Sequence, residues 1–188
     1  MMTKTVIIGT NHAGIAAANT LLDNYPDQEV VMIDRNSNLS YLGCGTALWV
    51  GRQVNDYHGL FYTKVEDFTN KGAKITLEAE VKDIDFDKKV VHYIKKDGTE
   101  LTEDYDKLIL ATGSLPISPN VAGKDLNGIH FLKLFQDGQD VDKEISAEEV
   151  KNVAVIGAGY IGVEIAEAAK RRGKNVLLFD AADRSLST

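Results

Sequence analysis

The only cysteine of the chain, Cys44, lies between two glycines in Gly43-Cys44-Gly45. A thiolate is the form of cysteine that attacks, and flanking glycines leave the approach to it open. We predict a helix from Cys44 to about Val50, which would place the thiol at a helix N-terminus that favours the thiolate. With no second cysteine, oxidation would end in a sulfenic acid or a mixed disulfide with a small thiol. The alternative is an inert buried thiol.

A glycine-rich loop late in the chain has the chemistry of a dinucleotide site. Gly157-Ala158-Gly159-Tyr160-Ile161-Gly162 fits the pattern G-x-G-x-x-G. The three glycines suit a tight turn, close approach to a pyrophosphate, and close packing of helix on strand. Asp180 ends the next apolar run at about the 20-residue spacing expected for a carboxylate that binds a ribose 2′-hydroxyl. The pattern predicts a site that prefers NADH to NADPH, because a carboxylate repels a 2′-phosphate. The alternative is a glycine-rich turn without function.

A similar loop begins near the N-terminus, with the sequence Gly9-Thr10-Asn11-His12-Ala13-Gly14. Asn11 takes the place of the middle glycine, and asparagine is the residue other than glycine that best tolerates unusual backbone angles. Asp34 is the expected ribose partner, and we place the neighbouring Arg35 with the cofactor contacts. Two dinucleotide sites indicate two cofactors, one a fixed redox group and one a diffusible hydride donor.

Strands and helices must position these loops. Apolar runs over 5–8 and 30–33, joined by a helix over 13–23, predict a parallel pair with both faces covered. The pattern recurs over 153–156 and 176–179 around a helix over 160–172. The fold class predicted is α/β: a Rossmann-like unit with a parallel sheet and an antiparallel β-meander, followed by the start of a second Rossmann-like unit.

The meander is predicted between residues 73 and 113. One strand is expected over 75–81, a hairpin turn at 96–99, and a last apolar strand over 107–113 that stops on a small-residue turn. Residues 133–150 are charged and predicted helical.

Composition excludes several classes of function. The chain has 188 residues, 44% of them hydrophobic, and a net charge of -7, which argues against a nucleic-acid binder that must neutralise phosphates. No apolar stretch approaches the roughly 18 residues of a membrane span, and no signal peptide is visible. A cytoplasmic protein without nucleic-acid or membrane partners is therefore predicted. A lone cysteine excludes an internal disulfide and a multi-cysteine metal site, and we predict no metal.

Four motifs occur in order along the chain. They are Gly9-Thr10-Asn11-His12-Ala13-Gly14, Leu39-Ser40-Tyr41-Leu42-Gly43-Cys44-Gly45, Ala111-Thr112-Gly113-Ser114 and Gly157-Ala158-Gly159-Tyr160-Ile161-Gly162-Val163-Glu164. Together they resemble those of the flavin-dependent pyridine nucleotide-disulfide oxidoreductases. Within that family the chain resembles the single-cysteine branch of NADH oxidases, NADH peroxidases and coenzyme A disulfide reductases, and it is most like the water-forming oxidases of lactic acid bacteria.

The resemblance implies FAD in the first unit and NADH in the second. The implied domains are an FAD-binding domain over 1–120, a connection over 121–150 and the start of an NAD-binding domain over 151–188. The further cofactor contacts that it implies are Val81, Ala111, Thr112, Gly113, Ser114, Lys133, Tyr160, Ile161 and Glu164.

The resemblance also implies an activity. Hydride would pass from NADH to FAD, and the electrons would then reduce oxygen to water with Cys44 as the redox-active residue. His12 would orient or protonate oxygen or peroxide, unless it merely hydrogen-bonds backbone at the helix start. Rival activities are NADH peroxidase and coenzyme A disulfide reductase, and a rival of another class is a non-catalytic nucleotide-binding fragment. The chain is expected to be an N-terminal fragment without turnover of its own, from a parent that forms a homodimer through a domain absent here.

Overall fold

The computed structural model describes residues 2–186, which fall into two compact units. The first unit combines the residues up to Tyr41 with Phe61–Ser114, and the second combines Leu42–Leu60 with the residues from Leu115 onward. The predicted domains over 1–120, 121–150 and 151–188 are defined by the cofactor that each would bind. A division by contacts does not test cofactor binding, so these domains stay predictions.

The structure combines parallel strands joined by helices with a run of strands between residues 74 and 110 that no helix interrupts. The strands are β1 (Thr3–Ile8), β2 (Gln28–Ile33), β3 (Lys74–Thr76), β4 (Ala79–Asp85), β5 (Val90–Lys95), β6 (Glu100–Asp104), β7 (Lys107–Leu110), β8 (Asn152–Ile156) and β9 (Asn175–Phe179). The α-helices are α1 (His12–Asn24), α2 (Thr46–Val50), α3 (Val65–Thr69), α4 (Phe135–Ser146) and α5 (Tyr160–Arg171).

The first unit is built on a parallel sheet of order β3-β2-β1-β7. Alternate residues of β1 and β2 are buried on opposite faces, as the period of two in a strand requires. Val6 and Val31 pack with the antiparallel meander β4-β5-β6, whereas Ile7 and Met32 pack with the apolar side of α1 and with Phe68. The predicted α/β fold with a parallel sheet and a meander is therefore confirmed.

The single strand predicted over 75–81 is wrong. β3 ends at Thr76 and joins the parallel sheet, and β4 begins at Ala79 in the meander. Between them Glu78 has a φ of 52° and donates its N–H to the Asn36 carbonyl oxygen at 3.0 Å. A left-handed residue bends the chain from one sheet to the other, and the apolar pattern continues across this bend without interruption.

The second unit contains the parallel pair β8-β9 and the helices α2, α4 and α5. Arg172, just after α5, joins these helices: its Nη1 donates at 3.0 Å to the Val50 carbonyl oxygen and at 3.0 Å to Asp142 Oδ1 of α4. Arg52 pairs with the same carboxylate at 2.7 Å. One carboxylate between two guanidinium groups therefore connects α4 to the ends of α2 and α5.

No helix among residues 2–186 has the length and apolar character needed to cross a bilayer. The cytoplasmic location stays a prediction.

Candidate dinucleotide loops and cysteine turn

The first glycine loop links β1 to α1 at the carboxyl edge of the parallel sheet. Gly9 has a φ of 111°, which residues with a Cβ rarely adopt, and a Cβ there would overlap the Ala111 carbonyl oxygen. A Cβ at Gly14 would overlap the Gly9 carbonyl oxygen. Asn11 has φ −106° and ψ −160°, ordinary extended backbone. The missing middle glycine is therefore explained by ordinary geometry and not by any tolerance of unusual angles.

Asp34, at the end of β2, fastens this loop. Its Oδ2 accepts bonds from the Thr10 backbone N at 2.7 Å and from Thr10 Oγ1 at 3.0 Å. Its Oδ1 accepts bonds from the backbone N and the side-chain amide of Asn36, at 2.8 and 2.9 Å. Each oxygen already accepts two bonds, so a ribose hydroxyl would have to share or replace one of them. Arg35 is exposed beside it.

The Ala-Thr-Gly segment reaches the same edge through β7. The Ala111 N–H donates to the Ile8 carbonyl oxygen at 2.8 Å, beside Gly9. Thr112, Gly113 and Ser114 follow as exposed residues, with Gly113 at a φ of 65°. The first loop, Asp34 and this segment thus meet where parallel sheets of this class bind ligands. Val81 lies beside a bulge of β4, half-buried against the core.

The second loop repeats this construction between β8 and α5. Gly157 has a φ of 102°, and a Cβ at Gly162 would overlap the Gly157 carbonyl oxygen. A Cβ at Gly159 would meet open space. Asp180 accepts hydrogen bonds from the backbone N–H groups of Ala182, at 2.8 Å, and of Ala158. These two bonds lower the pKa of Asp180. The carboxylate therefore stays charged below the usual range of an aspartate.

The remaining predicted nucleotide contacts lie at the surface of the second unit. Tyr160 and Ile161 are 66% and 56% exposed at the start of α5, and Glu164 is exposed on its next turn. Lys133 is exposed before α4, and its backbone N–H donates to Asp137 Oδ2 at 2.8 Å. Their roles toward FAD and NADH stay predictions.

Cys44 is exposed, so the buried position assumed in the alternative of an inert thiol is wrong, and the reactivity of the sulfur stays a prediction. The helix predicted from Cys44 is also corrected: residues Gly43–Gly45 form a 3-10 turn, and α2 begins only at Thr46. Gly45 is buried, and a Cβ there would overlap the Leu60 side chain. Thr46 Oγ1 closes the turn by donating to the Gly43 carbonyl oxygen at 2.7 Å. Tight packing under Gly45 therefore holds the sulfur outward, and the five-residue helix supplies little dipole.

His12 pairs with a residue that the sequence did not indicate. Its Nδ1 lies 3.1 Å from the Tyr62 hydroxyl, and the two rings are nearly parallel, at 4°, with centroids 5.6 Å apart. Partial burial raises the pKa of Tyr62, so the phenol keeps its proton at neutral pH. The alternative, in which His12 only hydrogen-bonds backbone at the helix start, does not account for this contact with a side chain.

Comparison with known proteins places the chain in a family. The profile of the pyridine nucleotide-disulphide oxidoreductases matches residues 3–188. The chain belongs to this family. The predicted resemblance is therefore confirmed, and both glycine loops, Cys44 and the Ala-Thr-Gly segment lie within the matched range.

Individual members of the pyridine nucleotide-disulphide oxidoreductase family are closely similar. The NADH oxidase of Lactococcus lactis is 66% identical over 185 residues, which are 98% of this chain and 42% of the relative. A structure described as the water-forming NADH oxidase of Lactobacillus brevis bound to NADH superposes with a TM-score of 0.93 at 38% identity, over 98% of this chain and 41% of that one. The structure of reduced CoADR-RHD from Bacillus anthracis superposes with a TM-score of 0.94 at 26% identity, over 99% of this chain and 34% of that one. The chain thus spans about two-fifths or less of these family members.

Proposed function

We propose that this chain is the FAD-binding part, and the beginning of the NADH-binding part, of an NADH oxidase that reduces oxygen to water. One observation carries the proposal: two glycine loops of the same construction, each tied to an acidic residue, occur in one chain with a single exposed cysteine. The 66% identity to a lactococcal NADH oxidase supports the oxidase over other members of the family.

The residues of each loop fit the proposed nucleotide. Around the first loop, Gly9 makes a turn against the Ala111 carbonyl oxygen that a residue with a Cβ could not make, and Asp34 holds the loop in place. Around the second, Gly159 faces open space and the charged Asp180 would accept a ribose hydroxyl. Bound FAD would accept hydride from NADH and pass electrons to oxygen.

Cys44 would complete the reduction to water. Two electrons and two protons convert oxygen to hydrogen peroxide. The Cys44 thiolate then attacks one peroxide oxygen, the O–O bond breaks, and the hydroxide that leaves takes up a proton to become water. The resulting sulfenic acid takes two electrons and two protons from a second NADH and the medium, which releases the second water and restores the thiol. Two NADH are consumed for each oxygen, and the exposed position of Cys44 gives peroxide access to the sulfur.

The rival activities differ in their acceptor. An NADH peroxidase would consume NADH with added peroxide and no oxygen, and a coenzyme A disulfide reductase would require the disulfide. An exposed lone cysteine is compatible with the oxidase, the peroxidase and the disulfide reductase. A non-catalytic nucleotide-binding chain would bind an adenine nucleotide without retaining flavin.

We expect the chain alone to show no NADH turnover, and a chimera to restore it. In the chimera these residues replace the matching 42% of the Lactococcus lactis NADH oxidase. The chimera should be yellow and should take up oxygen with two NADH oxidised per oxygen, measured with an oxygen electrode and NADH absorbance together. Turnover by the chain alone at the rate of the lactococcal enzyme contradicts the first expectation. A yellow chimera that oxidises NADH only with added peroxide or disulfide contradicts the oxidase.

Asp180 is expected to set the preference for NADH. In the chimera, Asp180→Ser should lower kcat/KM for NADH by about tenfold or more, the value of one hydrogen bond to a charged group, and should raise kcat/KM for NADPH. Asp180→Asn retains an acceptor for the Ala158 N–H and should mainly relax the discrimination against NADPH. Because the pKa of Asp180 is lowered, the preference of the unmodified chimera should stay constant from neutral pH down to about pH 5.

Asp183→Ser, a change of the same kind three residues on, is the control and should leave both values unchanged. An unaltered ratio of NADH to NADPH efficiency in both Asp180 variants would show that this carboxylate does not meet the ribose.

A further inference from the structure

We propose that Tyr62 is a positioning residue for His12: its phenol O–H donates to His12 Nδ1 and holds the neutral imidazole in the tautomer that carries its proton on Nε2. The inference rests on the proposed function for one point only, that the outer edge of the His12 ring serves the oxygen being reduced. The tautomer itself can be tested without turnover.

The contact between the rings supports this direction of the hydrogen bond. The separation of 3.1 Å between Nδ1 and the Tyr62 hydroxyl is within hydrogen-bond range, and this contact engages Nδ1, which leaves Nε2 as the second polar atom of the ring. Of the two possible directions, donation from the phenol joins the stronger acid to the stronger base, because a phenol O–H is more acidic than the N–H of a neutral imidazole and an imidazole nitrogen is more basic than a phenol oxygen. The raised pKa of Tyr62 keeps this proton in place.

Buried hydrogen bonds of Ser40 fix the backbone near each of the two rings, which are themselves exposed. Ser40 is 0% exposed and has a φ of 64°, a strained conformation for a serine. Its Oγ donates to the Thr63 carbonyl oxygen at 2.6 Å and accepts from the Thr63 N–H at 3.2 Å. Its own N–H donates to the Thr10 carbonyl oxygen at 3.1 Å.

These bonds link two distant parts of the chain. Thr63 follows Tyr62, and Thr10 lies in the glycine loop that carries His12, so Ser40 fixes the backbone next to each ring. Thr63 Oγ1 also donates to Asp67 Oδ2 at 2.7 Å, which anchors the segment to α3. The backbone that carries Tyr62 is therefore joined through Ser40 to the loop that carries His12.

The consequence for chemistry is a donor of defined direction. An Nε2–H group can donate a hydrogen bond to the oxygen of a bound peroxide, whereas the other tautomer offers only a lone pair there. Tyr62 thus favours the tautomer in which Nε2 is a hydrogen-bond donor, and this tautomer carries no charge.

The test is nitrogen NMR of the chain with labelled histidine, at about pH 8.5, where an ordinary imidazole is neutral. The chain has four histidines, so His12 is assigned from a His12→Gln variant. We expect His12 in the unmodified chain to be in the Nε2–H tautomer essentially throughout, with the Nδ1 resonance shifted by its hydrogen bond. In Tyr62→Phe the shift should disappear and the second tautomer should become detectable.

Tyr25→Phe removes an exposed phenol elsewhere in the first unit and should leave the His12 signals unchanged. Tyr62→Phe keeps the ring, and a melting curve checks that it is folded. Identical His12 signals with and without the Tyr62 hydroxyl would overturn the proposal. So would an Nδ1–H tautomer in the unmodified chain.

Activity of the chimera separates this proposal from the function beneath it. With the positioning role, Tyr62→Phe should lower kcat about tenfold while KM for NADH changes less than twofold, because the NADH loop is elsewhere in the chain. A chimera without oxidase activity, in which the His12 signals still depend on the Tyr62 hydroxyl, would refute the proposed function and leave the tautomer assignment supported.

Discussion

Replacement of Cys44 by serine is expected to change the product of oxygen reduction from water to hydrogen peroxide. A serine hydroxyl is not ionised at neutral pH and does not break the O–O bond of peroxide, whereas a thiolate does. The first two electrons still reach oxygen through the cofactors, so peroxide forms and leaves. The exposed position of Cys44 in its turn allows the substitution without repacking of the core.

The measurement is stoichiometry in the chimera. NADH oxidised per oxygen should fall from two to one in Cys44→Ser, with one peroxide released for each oxygen consumed. Cys44→Ala should behave in the same way because it also lacks the sulfur. Leu48→Ala, at a 43% exposed position of α2, keeps the sulfur and should keep the ratio at two. If Cys44→Ser still forms only water, the role proposed for Cys44 is wrong.

Gly14→Ala is expected to destabilise the first unit by roughly 3 kcal/mol, at the upper end of overpacking costs, and to abolish retention of FAD by the chimera. A Cβ at this position would overlap the Gly9 carbonyl oxygen, a backbone atom that cannot rotate away. Relief would require α1 to move off β1, and that movement would open the loop that faces the proposed pyrophosphate.

Urea unfolding of the chain gives the loss of stability, and the flavin absorbance of the purified chimera gives the loss of cofactor. Gly59→Ala is the matched control, because a Cβ there meets nothing within 4 Å and the residue has no left-handed φ. It should change neither quantity. A Gly14→Ala variant as stable as Gly59→Ala and still yellow would mean that the helix and strand can separate without cost.

Much of the nucleotide chemistry could be predicted because it depends on short segments of backbone. The glycines at 9, 14, 157 and 162 occur where the chain must turn or pack closely, and these demands follow from residue type and spacing alone. Parallel pairing of β1 with β2 and of β8 with β9 followed from apolar runs joined by a helix. The family was recognisable for the same reason, since its motifs are local.

Tertiary structure decided the features that depend on residues far apart in sequence. The bend at Glu78, which sends one apolar run into two sheets, is stabilised by a bond to Asn36 that no local pattern shows. The 3-10 turn at Cys44 depends on Leu60 packing under Gly45. Tyr62 contacts His12 from 50 positions away in sequence, and buried hydrogen bonds of Ser40 join their two segments. The sequence by itself determined where backbone geometry restricts the residue type; long-range packing decided which side chains meet, because loop closure brings together residues whose spacing carries no signal.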